Sequence, residues 1–331
     1  MEHKPLLMGY WDNVVEPIDY TMGYKGMAVD VDLIDIPEEY NVIVASHHFK
    51  DTNDMYEIPI FVVRNKPDGE FKKQADHLTL KGQKVLYNLR GSYFDSYSWF
   101  CTKNYELGQN YLEEAVELVF NGINNIVDTY GISGICLDLE RDIFDKKGNK
   151  LLIPATLKRI KDVYKREDKD FFICISSYFP DLCDDDKSLP YLAELEGYYD
   201  LVCTKLYGGE QVINGHKFNE IGDWISEIDD KQKEDFLYYM FNSLANGTNG
   251  FPKIPHDKLV MGLPATESAA RKGYVKDPSA VLNALERLKQ SGTPIRGLSA
   301  YSINWDAGED KNFQPYSYEF MNRYKGIITP V

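Results

Sequence analysis

Two carboxylates stand two residues apart in the run Cys136-Leu137-Asp138-Leu139-Glu140. In an extended strand successive side chains point to opposite faces, so Cys136, Asp138 and Glu140 share one face and Leu137 and Leu139 the other. Charged groups on the buried face of a strand are costly to keep without a use. Two close carboxylates also resist ionising together, which favours holding a proton on one of them and so prepares a general acid. The plain alternative is a salt-bridged strand end, with Arg141 next in the chain.

Aromatic residues supply a second theme. The 331 residues include 24 Tyr, 16 Phe and 4 Trp, and sugar-binding clefts are one place where such a surplus is used. Lys plus Arg number 37 against 52 Asp plus Glu, a net charge of −15, which argues against nucleic acid or an anionic membrane surface as the main partner. A neutral ligand fits better. Adjacent His47 and His48 would face opposite sides of a strand and cannot jointly hold one ion, so one buried and one exposed imidazole is expected. Cys101, Cys136, Cys174, Cys183 and Cys203 show no CxxC spacing, and three of them lie in apolar runs, so reduced buried thiols are expected. No glycine-rich phosphate loop and no Ser–His–Asp order stand out, and neither a metal nor a cofactor is expected.

These groups need a scaffold that brings them together. Short apolar runs bounded by turn signals recur at 5–11, 41–49, 84–91, 134–140, 171–178, 200–207, 258–265 and 297–305. Such runs read as parallel strands buried on both faces. Helical periods lie between several of them, at 110–131 with Gly131 as a stop, at 155–167 and at 278–292. The alternation predicts a TIM (β/α)8 barrel of the α/β class, a single domain over 1–331. The long stretch from Gly208 to Asp257 leaves room for a moderate insertion after the sixth strand. Functional groups of such barrels sit at the C-terminal ends of strands, where Asp138 and Glu140 fall. The amino terminus MEHKPLLMGYW lacks an apolar segment of signal-peptide length, and no run is long enough to span a membrane. A cytoplasmic location, or export by a non-classical route, is the expectation.

The segment YGISGICLDLE (130–140) resembles the fourth-strand signature of glycoside hydrolase family 18, the chitinase family, whose pattern is D-G-x-D-x-D-x-E. Other segments match in order. LLMGYWDNV resembles the family's opening strand, and KLVMGLPATESAARKGYV (258–275) resembles the seventh-strand segment of bacterial chitinases. GLSAYSINWDA (297–307) is similar to their eighth strand, with Tyr301 where Trp is usual. The resemblance runs from about residue 6 to residue 307. It implies a retaining, substrate-assisted hydrolysis of glycans containing N-acetylglucosamine. Glu140 would protonate the glycosidic oxygen and then act as base towards water. The substrate's own acetamido oxygen would be the nucleophile, with Asp138 holding the acetamido N–H. Tyr207 would donate to the acetamido oxygen. Tyr301 would form the floor beneath the sugar ring, and Tyr10, Trp11, Tyr93, Tyr178 and Trp305 are candidates for further stacking or, equally, for rim and core filling.

The chain departs from the pattern in several places. Ser133 and Cys136 replace two acids of the signature, Asn88-Leu89-Arg90-Gly91 replaces S-x-G-G, and Lys205-Leu206-Tyr207-Gly208 replaces M-x-Y-D. The family's acid at the Cys136 position shares hydrogen bonding with the residue at Asp138, so Cys136→Asp should preserve or raise activity. Arg90 and Lys205, if they point inward, would keep the carboxylates ionised by charge, which opposes a general acid at Glu140. An active but slow enzyme is expected. Three readings stay open: a chitinase, an endo-acting N-acetylglucosaminidase cutting N-glycans, and a non-catalytic chitinase-like lectin or subunit of a larger secreted, toxin-type complex.

Overall fold

A computed structural model describes residues 4–13, 15, 26–46, 61, 63, 66–90, 112–140, 148–207, 216–217, 222, 224–270 and 272–328. Eight strands form a closed parallel barrel: β1 (Leu6–Asp12), β2 (Val42–Ser46), β3 (Lys84–Arg90), β4 (Gly134–Leu139), β5 (Phe172–Tyr178), β6 (Leu201–Lys205), β7 (Leu259–Pro264) and β8 (Gly297–Tyr301). Each pairs with its neighbours in sequence, and β8 returns to β1. The principal helices are α1 (Asp68–Leu80), α2 (Leu112–Tyr130), α3 (Asn149–Arg166), α4 (Leu189–Glu194), α5 (Lys233–Asn246) and α6 (Ser279–Gln290). Two short helices, α7 (Ile303–Asp306) and α8 (Glu319–Tyr324), follow β8. The TIM barrel expected from the alternation is therefore present. Between β6 and β7 a hairpin of His216–Lys217 with Trp224–Ile225 precedes α5, as an insertion there requires.

Alternation along the strands separates two apolar compartments. Outward-facing Ile135, Leu137 and Leu139 of β4 join the large core between sheet and helices. Inward-facing Leu6, Met8 and Tyr10 of β1, Val42 and Val44 of β2, Cys136, Cys174 and Cys203 pack inside the barrel. Cys136, Cys174 and Cys203 are free and buried, as the apolar runs around them imply, whereas Cys183 is only half-buried. Cys101, His47 and His48 lie outside the described residues.

Helix ends follow local chemistry. Gly131 and Gly292 adopt φ of 69° and 79°, a left-handed conformation that stops α2 and the segment after α6. Helix α3 begins six residues before the expected 155, because Pro154 lies inside it rather than at its start. As the sixth residue of α3, Pro154 lies beyond the first turn and removes one intrahelical hydrogen bond.

The end of the β8–β1 seam is braced by α7. Asn304 of α7 accepts from the Asp12 backbone N–H at 2.8 Å and donates to the carbonyls of Asp12 and Val29 at 3.0 and 3.1 Å. Asp306 accepts from Tyr40 Oη at 2.6 Å and from the backbone N–H groups of Phe320 and Met321, which docks α8. Burial, only partly offset by these donors, pushes its carboxyl up to about 6.

Candidate active site

Strand β4 delivers its carboxylates as the alternation requires. Asp138 pairs in register with Arg90 of β3 and Ser176 of β5, points into the barrel and is 2% exposed. Glu140 follows the last residue of β4, with its side chain 37% exposed at the mouth. One carboxylate is thus dry and fixed while the other is open to an incoming group.

Lysine 205, the last residue of β6, reaches across the barrel to both of them. Its Nζ lies 2.5 Å from Asp138 Oδ1 and 3.2 Å from Glu140 Oε1. The same ammonium sits 4.2 Å above the ring centroid of Tyr178, its register partner on β5. Burial pulls the Lys205 proton off, but the negative charges of Asp138 and Glu140 outweigh it, so the amine is held above its ordinary range and remains a cation. The other oxygen of Asp138, Oδ2, lies 3.5 Å from Asn88 Nδ2, which also donates to Ser46 Oγ at 3.2 Å.

Tyr207 stands two residues beyond the end of β6 and is 5% exposed. Its hydroxyl is buried and has no hydrogen-bond partner among the described residues. Burial raises this phenol well above its usual value, reinforced by Cys203 and the charge of Asp138, so it stays a neutral donor. Its ring stacks on Tyr301, with centroids 4.6 Å apart and planes at 14°. Gly262 of β7 makes the space: a Cβ there would come within 3.1 Å of Cys203 Sγ and 3.3 Å of Tyr207 Cε1.

The remaining aromatic candidates separate. Tyr178 keeps an inward position at the mouth, with the Lys205 ammonium on its face. Tyr301 is half-buried at the end of β8, with one face taken by Tyr207 and an edge contact from Tyr10. Tyr10 is corrected from a stacking residue to a core residue: it is 3% exposed, and its hydroxyl shares a 2.5 Å hydrogen bond with Ser176 Oγ. Trp11, next along β1, points the other way by strand alternation, into the outer core. It is 2% exposed and donates from Nε1 to Val31 O at 2.9 Å, so it offers no face to a sugar. Trp305 of α7 is likewise buried in the outer core, at 8% exposure. Tyr93, Gly208 and the side chain of Arg90 lie outside the described residues.

Asn88 and Lys205 were visible in the sequence only as departures from a pattern. Ser46 and Ser176 gave no signal of their own, because small polar residues at strand ends are common. Among the described residues no group of three His, Cys, Asp or Glu side chains could hold a metal ion. What the site can do is acid–base chemistry at Glu140 beside a fixed anion and a neutral phenolic donor.

Comparison with known proteins bears on that chemistry. No family model matches the chain. A chitinase of Enterococcus faecalis is 36% identical over 326 residues, covering 98% of this chain and 88% of that protein. Among solved structures, a GH18 chitinase from Pseudoalteromonas aurantia is similar with a TM-score of 0.59 at 14% identity, covering 96% of this chain and 97% of that one. The xylanase and alpha-amylase inhibitor protein XAIP-II from Scadoxus multiflorus has a TM-score of 0.53 at 13% identity, covering 96% and 97%. At such identities these two structures show the fold alone.

Proposed function

Because the chain belongs to glycoside hydrolase family 18, the chitinase family, we propose that it hydrolyses β-1,4-linked N-acetylglucosamine glycans, chitin or its oligosaccharides, with retention of anomeric configuration. Glu140, open at the barrel mouth, gives its proton to the glycosidic oxygen and later takes one from water. The acetamido oxygen of the sugar attacks the anomeric carbon as the bond to the leaving group breaks. Asp138 accepts the acetamido N–H and faces the positive charge that develops on the resulting oxazolinium ring. Tyr207 donates to the acetamido oxygen and orients it.

The observation that carries this reading is the convergence in one barrel mouth of Asp138, Glu140 and the Tyr207 hydroxyl, which has no hydrogen-bond partner among the described residues. A buried hydroxyl without a hydrogen bond costs about 1–3 kcal/mol. A substrate carbonyl at Tyr207 removes that cost. The barrel alone decides nothing, since an inhibitor protein shares it. Presence of both Asp138 and Glu140 favours an enzyme over a sugar-binding descendant, which has no use for a buried carboxylate pair.

Proton NMR of chitohexaose in the first minutes of digestion tests the mechanism. The β-anomer should appear first and mutarotate later. Early α-anomer would contradict an acetamido nucleophile.

A further inference from the structure

The fourth-strand pattern has an acid where this chain has Cys136, and the sixth-strand pattern has Met where this chain has Lys205. The structure places these two departures on neighbouring sides of the same carboxylate. Cys136 and Asp138 are consecutive inward residues of β4, and Lys205 Nζ lies 2.5 Å from Asp138 Oδ1. The Cys136 thiol is fully buried, 3.9 Å from Tyr10 Oη and inside the cluster of Cys174 and Cys203. A thiol is a far weaker hydrogen-bond donor than a carboxylic acid, so it is a poor partner for Asp138.

We propose that Lys205 is a positioning residue that takes over the work of the acid missing at Cys136, a cationic bridge fixing Asp138 against Glu140. The inference rests on the roles given to those two carboxylates above. Its basis is charge balance in a dry site. Asp138 is 2% exposed and Lys205 3%, and a buried charge without a partner is strongly disfavoured. An acid at 136 would solve this by sharing one proton between two carboxyls. With a thiol there, an ammonium solves it instead. The three N–H donors of Lys205 have three acceptors: Asp138 Oδ1, Glu140 Oε1 and the face of Tyr178. That geometry holds Asp138 and Glu140 in place through one shared cation. Cys136 and Lys205 therefore act as a compensating pair. Each substitution alone upsets the balance, and the two together restore it.

A double-mutant cycle tests the pairing. Wild type, Lys205→Met, Cys136→Asp and the double variant are compared on a fluorogenic chitotrioside for kcat, KM and pH profile, and for Tm. Lys205→Met should lower kcat about 100-fold with little change in KM, on the scale of other transition-state contacts. Cys136→Asp alone should also lose activity, the reverse of the expectation from sequence, because its new carboxylate is buried beside an Asp138 already balanced by Lys205. The double variant should regain about tenfold or more over Lys205→Met, with a pH profile distinct from that of wild type. Losses that simply multiply, or a Lys205→Met enzyme with wild-type rate and profile, would overturn the proposal. Should Lys205→Met fail to fold, Lys205→Arg and Lys205→Gln decide: Arg should exceed Gln about tenfold in kcat, and equal rates would show that the charge is irrelevant. A wild type that cuts no chitooligosaccharide removes the functional reading instead. The Tm values of the same four proteins still test the bridge, since only a compensating pair gives a double variant more stable than the sum of its parts predicts.

Discussion

Tyr207 and Tyr301 lie face to face, 4.6 Å between ring centroids and 14° between planes, although one follows β6 and the other ends β8. The stack fixes where the Tyr207 hydroxyl points. It also means that Tyr301 offers a sugar only the surface that Tyr207 and Tyr10 leave uncovered. Aromatic pairs of this kind add about 0.5–1.5 kcal/mol beyond the area they bury.

Tyr207→Phe keeps the stack and deletes the donor. Turnover of chitooligosaccharides should fall by about 10²–10³, or roughly 2.7–4 kcal/mol in barrier, while KM changes little. Steady-state kinetics of the purified variant check this, and an unchanged kcat would remove Tyr207 from the site.

Gly262→Ala places a methyl group 3.0 Å from the Thr204 backbone oxygen, 3.1 Å from Cys203 Sγ and 3.3 Å from the edge of Tyr207. Overpacking of this kind costs about 1–3 kcal/mol of stability. Because Tyr207 is one of the groups this methyl presses on, kcat should fall with only a small change in KM. Thermal unfolding together with kinetics distinguishes this result from a simple loss of fold.

Glu227 predicts a pH effect away from the site. The residue is 2% exposed, its Oε2 has no hydrogen-bond partner among the described residues, and burial pushes its carboxyl up to about 7 against the opposing charges of Lys233 and Lys272. A carboxyl with a raised folded pKa adds stability that is complete below its unfolded value and disappears as pH rises through about 7. The Tm of Glu227→Gln relative to wild type should therefore be higher at about pH 8.5 than at about pH 5. A pH-independent difference would contradict the raised value.

The barrel was legible because eight apolar runs have strand length and turn boundaries, and parallel strands buried on both faces leave that trace. Alternation placed Asp138 and Glu140 on one face with Cys136, while their roles came only from the resemblance of the surrounding segments. The same alternation shows why Tyr10 and Trp11 could not both line one cleft: neighbours on β1 face opposite compartments. Which compartment is dry depends on packing that sequence does not display, and Tyr10 is buried because small inward residues such as Ser176 leave room for its ring. Lys205 was recognisable as a departure, but its hydrogen bonds to β4 depend on the width of the closed barrel. Helix α1 escaped notice because only Phe71, Ala75 and Leu78 are buried along its 13 residues. Its apolar stripe is too sparse to read as a period.

The most direct test of the account is hydrolysis of a fluorogenic chitotrioside by wild type and Glu140→Gln side by side. The account predicts measurable cleavage by the wild type and a loss of at least about 10³-fold in the variant, with binding of the sugar retained. Equal cleavage by both would contradict the role of Glu140, and binding without cleavage by either would leave a sugar-binding protein in place of the enzyme.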